Sequence, residues 1–367
     1  MAHLSMFLVT ILLVACNSAR PLEEVNTPTP PIISTPSPLL QPSPTEIPTA
    51  IPSPTNVATP VPSSTPTQIL STTITTTVPV RFAVIGDYGS GSQNEADVAD
   101  LVLSWAPDLI ITTGDNNYPS GSAATIDENI GQFYHAYISP YLGTYGDGAE
   151  ENRFFPSLGN HDWSSLKAQP YLDYFTLPGN ERYYDFVWGP LHFFALDSDS
   201  REPDGVGSSS IQASWLVNQL AASIAPWNIV YMHHPPYSSG EHGDIEWMQW
   251  PFQAWGATVV ISGHDHTYER IELNGFPYFI NGLGGKSRYN FPSPVPGSQV
   301  RYNQDYGAML VEATEDRLNF QFINRQGEII DQYQLNTTSS YSHELFLPLL
   351  QQDQTIDLQD LSDLTLR

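Results

Sequence analysis

Six side chains able to hold a cation follow five short apolar runs: Asp87 after residues 81–85, Asp115 after 108–112, Asn160 after 154–158, His233 after 228–232, and His264 with His266 after 258–261. Two carboxylates, an amide and three imidazoles converging from separate elements would leave buried charge and unpaired lone pairs unless cations sat among them. That combination predicts a metal cluster. Taken singly the pieces are weak, since Gly-Asp after a strand is commonly a turn and His233-His234-Pro235 could be an ordinary loop.

Positioning these residues requires strands that end at one rim. The β-branched runs 81–85 and 108–112 flank an amphipathic stretch, 95–105, in which Val98, Leu101, Val102 and Trp105 recur at helical spacing, so a β-α-β unit is predicted. Further on, the pattern predicts a helix over 126–138, a strand over 154–158, an antiparallel pair at 183–187 and 191–196, and a helix over 211–222. Strands follow over 228–232 and 258–261, then over 276–280, 306–311, 318–323 and 329–335. Strands interleaved with helices imply an α/β fold of layered sheets. In such sheets the binding crevice lies beyond the carboxyl ends of the strands. Glycine precedes the candidate ligand in Gly86-Asp87, Gly114-Asp115, Gly159-Asn160 and Gly263-His264, where a sharp turn is needed.

Composition limits where this domain lies and what it meets. The chain has 367 residues and 32 prolines, many of them in Thr-Pro and Ser-Pro units of residues 17–79, a segment too poor in apolar side chains to bury a core. It reads as a disordered stalk, and residues 80–336 as one catalytic domain. The formal net charge of −26 disfavours nucleic-acid binding, and an anionic substrate would need a local positive centre such as a metal cluster. Residues 4–15 form an apolar run too short to cross a bilayer, ending in Leu13-Val14-Ala15-Cys16, which resembles a bacterial lipobox. Residues 1–16 are thus expected to be a lipoprotein-type signal, Cys16 the lipidated residue and sole membrane contact, and the domain exported. Cys16 is the only cysteine, so no internal disulfide can form. The polar tail, residues 337–367, holds one apolar run at 345–350, and three readings stay open for it: an added strand, a sorting segment, or disorder.

The blocks Gly86-Asp87, Gly114-Asp115-Asn116, Gly159-Asn160-His161-Asp162, the His233 block and Gly263-His264-Asp265-His266 resemble, in order, those of the calcineurin-like metallophosphoesterase superfamily. The resemblance implies a double β-sandwich flanked by helices, a four-layer αββα fold, with a two-metal site at the strand ends. Where much of that superfamily has a histidine in its first block, this chain has Gly89, and Tyr118 stands in the second. In this the chain resembles the purple acid phosphatases, and the small tartrate-resistant type most of all. The resemblance implies that Asp87, Asp115, Tyr118 and His266 hold a ferric ion. Asp115, Asn160, His233 and His264 would then hold a divalent partner, iron, zinc or manganese, with Asp115 bridging. A phenolate is a hard donor suited to a trivalent ion.

By the same resemblance His161 would meet substrate phosphate, and His242, in Glu241-His242-Gly243, would protonate the leaving group. Asp162, Glu241 and His234 would support them, Asp162 by orienting a neighbouring ring and His234 by lining the site, while Tyr268-Glu269-Arg270 is assigned to structure. The implied activity is hydrolysis of phosphorylated small molecules, phosphate monoesters first, with metal-bound hydroxide as nucleophile and an optimum in acid. A phosphodiesterase or nucleotide hydrolase would use the same ligands. A surface-anchored binding protein with a structural metal site is the reading from another class, and it leaves His161 and His242 without a role.

Overall fold

The computed structural model describes residues 78–337. The expected signal, Cys16, nearly all of the expected stalk and the tail beyond Thr337 lie outside the described residues. In chain order the strands are β1 (Val80–Ile85), β2 (Leu109–Thr112), β3 (Phe154–Pro156), β4 (Tyr184–Trp188), β5 (Leu191–Ala195), β6 (Trp227–Tyr231), β7 (Val259–Ser262), β8 (Tyr268–Leu273), β9 (Phe276–Asn281), β10 (Ser298–Tyr302), β11 (Gly307–Ala313), β12 (Arg317–Asn324) and β13 (Ile329–Asn336). They form two sheets, one ordered β13-β12-β11-β1-β2-β3 and the other β10-β8-β9-β7-β6-β5-β4. Within the first, β1, β2 and β3 run parallel; within the second, β5, β6, β7 and β9 do.

The central strands are apolar without a break because both of their faces are covered. Facing inward, Phe82 meets Phe193 edge-on at 5.0 Å, Phe279 stacks on Phe320 at 4.8 Å and Tyr268 on Phe322 at 4.1 Å, so aromatic pairs join one sheet to the other. Facing outward, Phe194, Val230 and Val260 share a second apolar cluster with Ala213, Leu216 and Leu220 of the helix Ile211–Ala222. The helix Gln93–Ser104 covers the other sheet through Val98, Ala99 and Val102, and is capped by Ser92, whose Oγ accepts from Glu95 N. Successive strand residues point to opposite faces, and that alternation builds the helix-sheet-sheet-helix layering. The architecture is a double β-sandwich flanked by helices.

Polar bonds lock the sheets together near the rim. Asn281 Nδ2 donates to Val84 O (2.8 Å), and Tyr231 Oη donates to Phe155 O (3.2 Å). Tyr268 Oη and Arg270 Nε both donate to Asp331 Oδ2 on β13, at 2.8 and 2.7 Å, so the Tyr268-Glu269-Arg270 segment ties sheet to sheet.

The expected helix over 126–138 is instead three short turns: a π turn at Asp127–Gly131, Gln132–Tyr134, and a 3₁₀ turn at His135–Tyr137. Its cause is visible at Asp127, whose carboxylate accepts from Tyr141 Oη (2.6 Å), Tyr174 Oη (2.9 Å), Thr144 N (2.9 Å) and Thr144 Oγ1 (2.9 Å). A Cβ on Gly131 would lie 2.4 Å from Tyr141 Oη and 2.6 Å from Tyr174 Oη, so only glycine lets both phenols reach the acid.

Candidate metal centre

All six candidate ligands leave the carboxyl ends of parallel strands: Asp87 from β1, Asp115 from β2 and Asn160 from β3 in one sheet, His233 from β6 and His264 and His266 from β7 in the other. The two sheets therefore contribute opposite walls of one rim. Asp87, Asp115 and His264 take left-handed backbone, with φ of 54°, 52° and 69°. Non-glycine residues there store strain, about 1–3 kcal/mol each, and such strain clusters at sites where side-chain aim matters.

The rim closes around Tyr118. Its Oη lies 3.0 Å from Asp115 Oδ2, 3.1 Å from His266 Nε2 and 3.3 Å from Asp87 Oδ1. On the other side of Asp115, His233 Nε2 lies 3.5 Å from Asp115 Oδ1, 2.9 Å from Asn160 Oδ1 and 3.1 Å from His264 Nδ1. Asp115 thus belongs to both neighbourhoods, and the structure brings all seven candidate ligands together. Each carboxylate also accepts a backbone bond that fixes its plane, His264 N to Asp87 Oδ2 and His161 N to Asp115 Oδ1, both 2.9 Å. Outside the cluster, His233 Nδ1 bonds Thr113 O (2.8 Å) and His266 Nδ1 meets Ser287 Oγ (3.0 Å), leaving each Nε2 facing inward.

The electrostatics suit cations. Burial first, then the Asp115 and Asp87 carboxylates, pushes the Tyr118 phenol well above its ordinary range, so a phenolate there requires added positive charge. Burial pushes His233 down, yet Asp115 and Asp87 outweigh it and hold the imidazole above its usual value. Burial and then neighbouring imidazoles drive His264 and His234 down, which keeps their lone pairs available. Donor atoms of Asp87, Asp115 and His233 lie within 4.8 Å of one another, as do those of His233, His234 and His264. The donor set fits metal ions, with oxygen donors concentrated about Tyr118 and nitrogen donors about His264.

Around this cluster the outer residues divide. The His161 ring packs on Tyr118, 4.4 Å between centroids, its Nδ1 bonded to Pro119 O and its Nε2 3.8 Å from Asp115 Oδ2. His242 stacks on the His264 ring at 4.1 Å, and its backbone N donates to Asp265 Oδ1 (2.9 Å), so Asp265 holds that loop over the site. His234 meets Ser198 Oγ through Nδ1 (2.9 Å) and lies 4.4 Å from the His264 ring, close enough to be counted among possible ligands as well as lining the site.

One supporting role differs from expectation, and a second supporting residue acts between loops. The hydrogen bonds of the buried Asp162 carboxylate run to Gly159 N (2.9 Å) and to Asn116 N and Nδ2 (3.2 and 2.8 Å), so it shapes the backbone of two ligand blocks and orients no ring. Glu241 Oε1 accepts from Asn290 N (2.9 Å) and Nδ2 (3.1 Å), pinning the loop after β9 to its own loop over the site.

That loop carries residues the sequence reading passed over. Lys286 Nζ stands 4.8 Å above the Tyr118 ring, and its backbone N donates to Asp87 O (3.1 Å). The Tyr289 ring is stacked on His266, 4.1 Å apart and 7° from parallel, and meets His242 edge-on at 5.4 Å. A Cβ on Gly284 would come within 2.4 Å of Gly86 O, so the glycines after β9 allow the loop to press against the Asp87 turn. Glycines directly after a strand were the available signal, in Gly282-Leu283-Gly284-Gly285 as in the other blocks.

Buried carboxylates and imidazoles drawn from two facing sheets, with open flanks at His161 and His242, make a candidate metal-binding rim of the kind a hydrolase can use. Residues 80–268 match the calcineurin-like phosphoesterase family, and the chain belongs to that family. Its relatives lie in the purple acid phosphatase branch. Purple acid phosphatase 17 of Arabidopsis thaliana is 27% identical, over 69% of this chain and 83% of its own length, and tartrate-resistant acid phosphatase type 5 of Mus musculus is 25% identical, over 63% and 80%. Among solved structures, a purple acid phosphatase from yellow lupin seeds superposes with a TM-score of 0.56 at 19% identity, covering 70% of this chain and 54% of the other. GAP50, the anchor in the inner membrane complex of Plasmodium, gives 0.56 at 20%, covering 72% and 91%; both likenesses bear on the fold alone.

Proposed function

We propose that this protein is an exported acid phosphatase that hydrolyses phosphate monoesters at a ferric ion paired with divalent iron, zinc or manganese, the shells being those assigned above. The observation that carries the reading is the exchange between Gly89 and Tyr118. A Cβ on Gly89 would fall 1.7 Å from Asn116 O, so no side chain fits there, while the Tyr118 hydroxyl occupies the space among Asp87, Asp115 and His266. Where a histidine would complete a shell of divalent type, this chain offers a phenol, a donor for a harder ion.

When bound, a pair of cations supplies Lewis-acid polarisation of the phosphoryl oxygens and lowers the pKa of water. The protein's own groups do the rest. Asp87 and Asp115, fixed by the backbone N–H groups of His264 and His161, aim their carboxylates into the cluster. His161, with Nδ1 held by Pro119 O, directs Nε2 toward the phosphoryl oxygens. His242, supported on the His264 ring, delivers a proton to the leaving oxygen. Because that step needs imidazolium, activity is expected to peak below neutrality; a pH-rate profile with its maximum above pH 8 would remove His242 from this role. Export is inferred from the apolar run before Cys16, lipidation from the lipobox resemblance, and the Pro/Ser/Thr stretch serves as a stalk. No helix among the described residues is long and apolar enough to cross a membrane.

Metal analysis combined with phosphate release from monoester, diester and nucleotide panels tests the reading. Iron with a second metal, a visible absorption band, and a preference for monoesters are expected. Tyr118→Phe should abolish the band and weaken iron retention by about 10–100-fold. An iron-free, colourless and fully active enzyme would exclude the ferric assignment, and a metal-loaded protein hydrolysing no ester would favour a structural site.

A further inference from the structure

The end of the sandwich opposite the ligand rim carries an apolar groove. Val80 at the start of β1, Pro190 in the β4–β5 turn and Ala225 before β6 form its floor and sides. Val78, Val187 and Ile224 line it as well, at 90%, 62% and 99% exposed. Three apolar side chains gathered on one concave surface form a patch that a short apolar segment can cover.

The last strand delivers the chain to this place. Asn336 pairs with Arg317 across β13 and β12, and Thr337 N donates to Asp316 O (3.0 Å), in the turn whose first residues, Thr314 and Glu315, line the groove. Eight residues beyond Thr337 begins the apolar run Leu345-Phe346-Leu347-Pro348-Leu349-Leu350. A connector of that length reaches at most about 29 Å, at about 3.6 Å per residue, and it starts beside the turn that lines the groove. So short a tether gives the run an effective concentration on the order of millimolar at the groove, above that of a second copy in dilute solution.

We propose that residues 345–350 of this chain dock in the groove and cover Val78, Val187 and Ile224. The proposal is independent of the phosphatase reading, since the groove lies at the end away from the metal centre. Hydrogen–deuterium exchange of the full chain, in a Cys16→Ser background and at two protein concentrations, tests it. Amides of 345–350 are expected to exchange at least about tenfold more slowly than those of 351–360. Ile224→Asp should erase that protection while the amides of β6 and β12 keep theirs. Phe346→Asp, a substitution beyond the described residues, should erase it from the other side and speed exchange at 223–225. Unprotected amides at 345–350 in the unmutated chain would overturn the proposal. Protection that survives both substitutions, meaning that the run lodges elsewhere, would do so too, as would protection that falls on dilution, meaning that a second copy supplies it.

Discussion

Lys286 is one of two lysines in a chain of net charge −26, and its ammonium lies over the phenol ring at the centre of the candidate site. No carboxylate pairs with it among the ion pairs of the described residues, and it is only half-buried. A cation so placed would attract an approaching phosphoryl group that the rest of the surface repels. Lys286→Met is therefore expected to raise the inhibition constant of inorganic phosphate by about 5–10-fold at low ionic strength and by less as salt is added. Equal constants for the two proteins at low salt would separate Lys286 from anion binding. Why this residue was illegible while Asp87 or His264 was not is a matter of distance along the chain. Each ligand announces itself locally, as a polar residue directly after an apolar run. The glycines after β9 mark the loop as one that turns sharply, but the placement of Lys286 within it depends on a ring 168 positions earlier, and that contact has no local signature. The same holds for Asp162, whose partners are the backbone N–H groups of Gly159 and Asn116 and the Asn116 amide 46 positions earlier, contacts without a local pattern in the sequence.

Strands with both faces covered, such as β1 and β6, and a helix with one buried face, Ile211–Ala222, were readable because burial demands apolar residues at a definite period. Two strands escaped for the opposite reason. β8 carries Glu269, Arg270 and Glu272, and Glu269 is fully buried, satisfied by Ser239 N (2.8 Å) and the hydroxyls of Ser239 and Ser298; β10 is a short polar edge. The broken helix at Asp127 gives the element-scale prediction. Burial raises the Asp127 pKa, but bonds from Tyr141, Thr144 and Tyr174 outweigh it and leave the carboxyl below its ordinary value. A depressed folded pKa contributes stability that is present above the unfolded value, about 3.9, and is lost as pH falls through the folded one. Asp127→Ala should cost about 1–2 kcal/mol at neutral pH, partial exposure keeping it small, and that difference should shrink below about pH 4. Denaturant midpoints for both proteins at pH 7 and pH 3 measure this; a difference unchanged between them would mean that the carboxylate charge is not what holds the 139–149 loop.

At the scale of the whole molecule, the candidate centre sits on the seam between two sheets. Asp87, Asp115 and Asn160 come from one, and His233, His264 and His266 from the other, so each cation bound there crosses the sandwich. Without cations the seam holds two buried carboxylates beside a phenol that burial keeps protonated, in a chain already bearing excess negative charge. Bound metal therefore adds folding stability by mass action, about 2.7 kcal/mol for a site at 100 times its dissociation constant. For a domain of this size that corresponds to about 5–10 °C in melting temperature per site. Chelation followed by dialysis should lower the melting temperature by that amount, re-addition of metal should restore it, and Asp115→Asn, which removes the shared carboxylate, should abolish most of the difference. Salt separates this effect from general repulsion. Screening should raise the melting temperature of metal-free protein modestly, but because the seam is buried it should leave most of the gap between metal-loaded and metal-free protein in place. A gap that closes with salt alone would make the metals surface counter-ions, and equal melting temperatures with and without metal would mean that these six side chains hold no cation across the sheets.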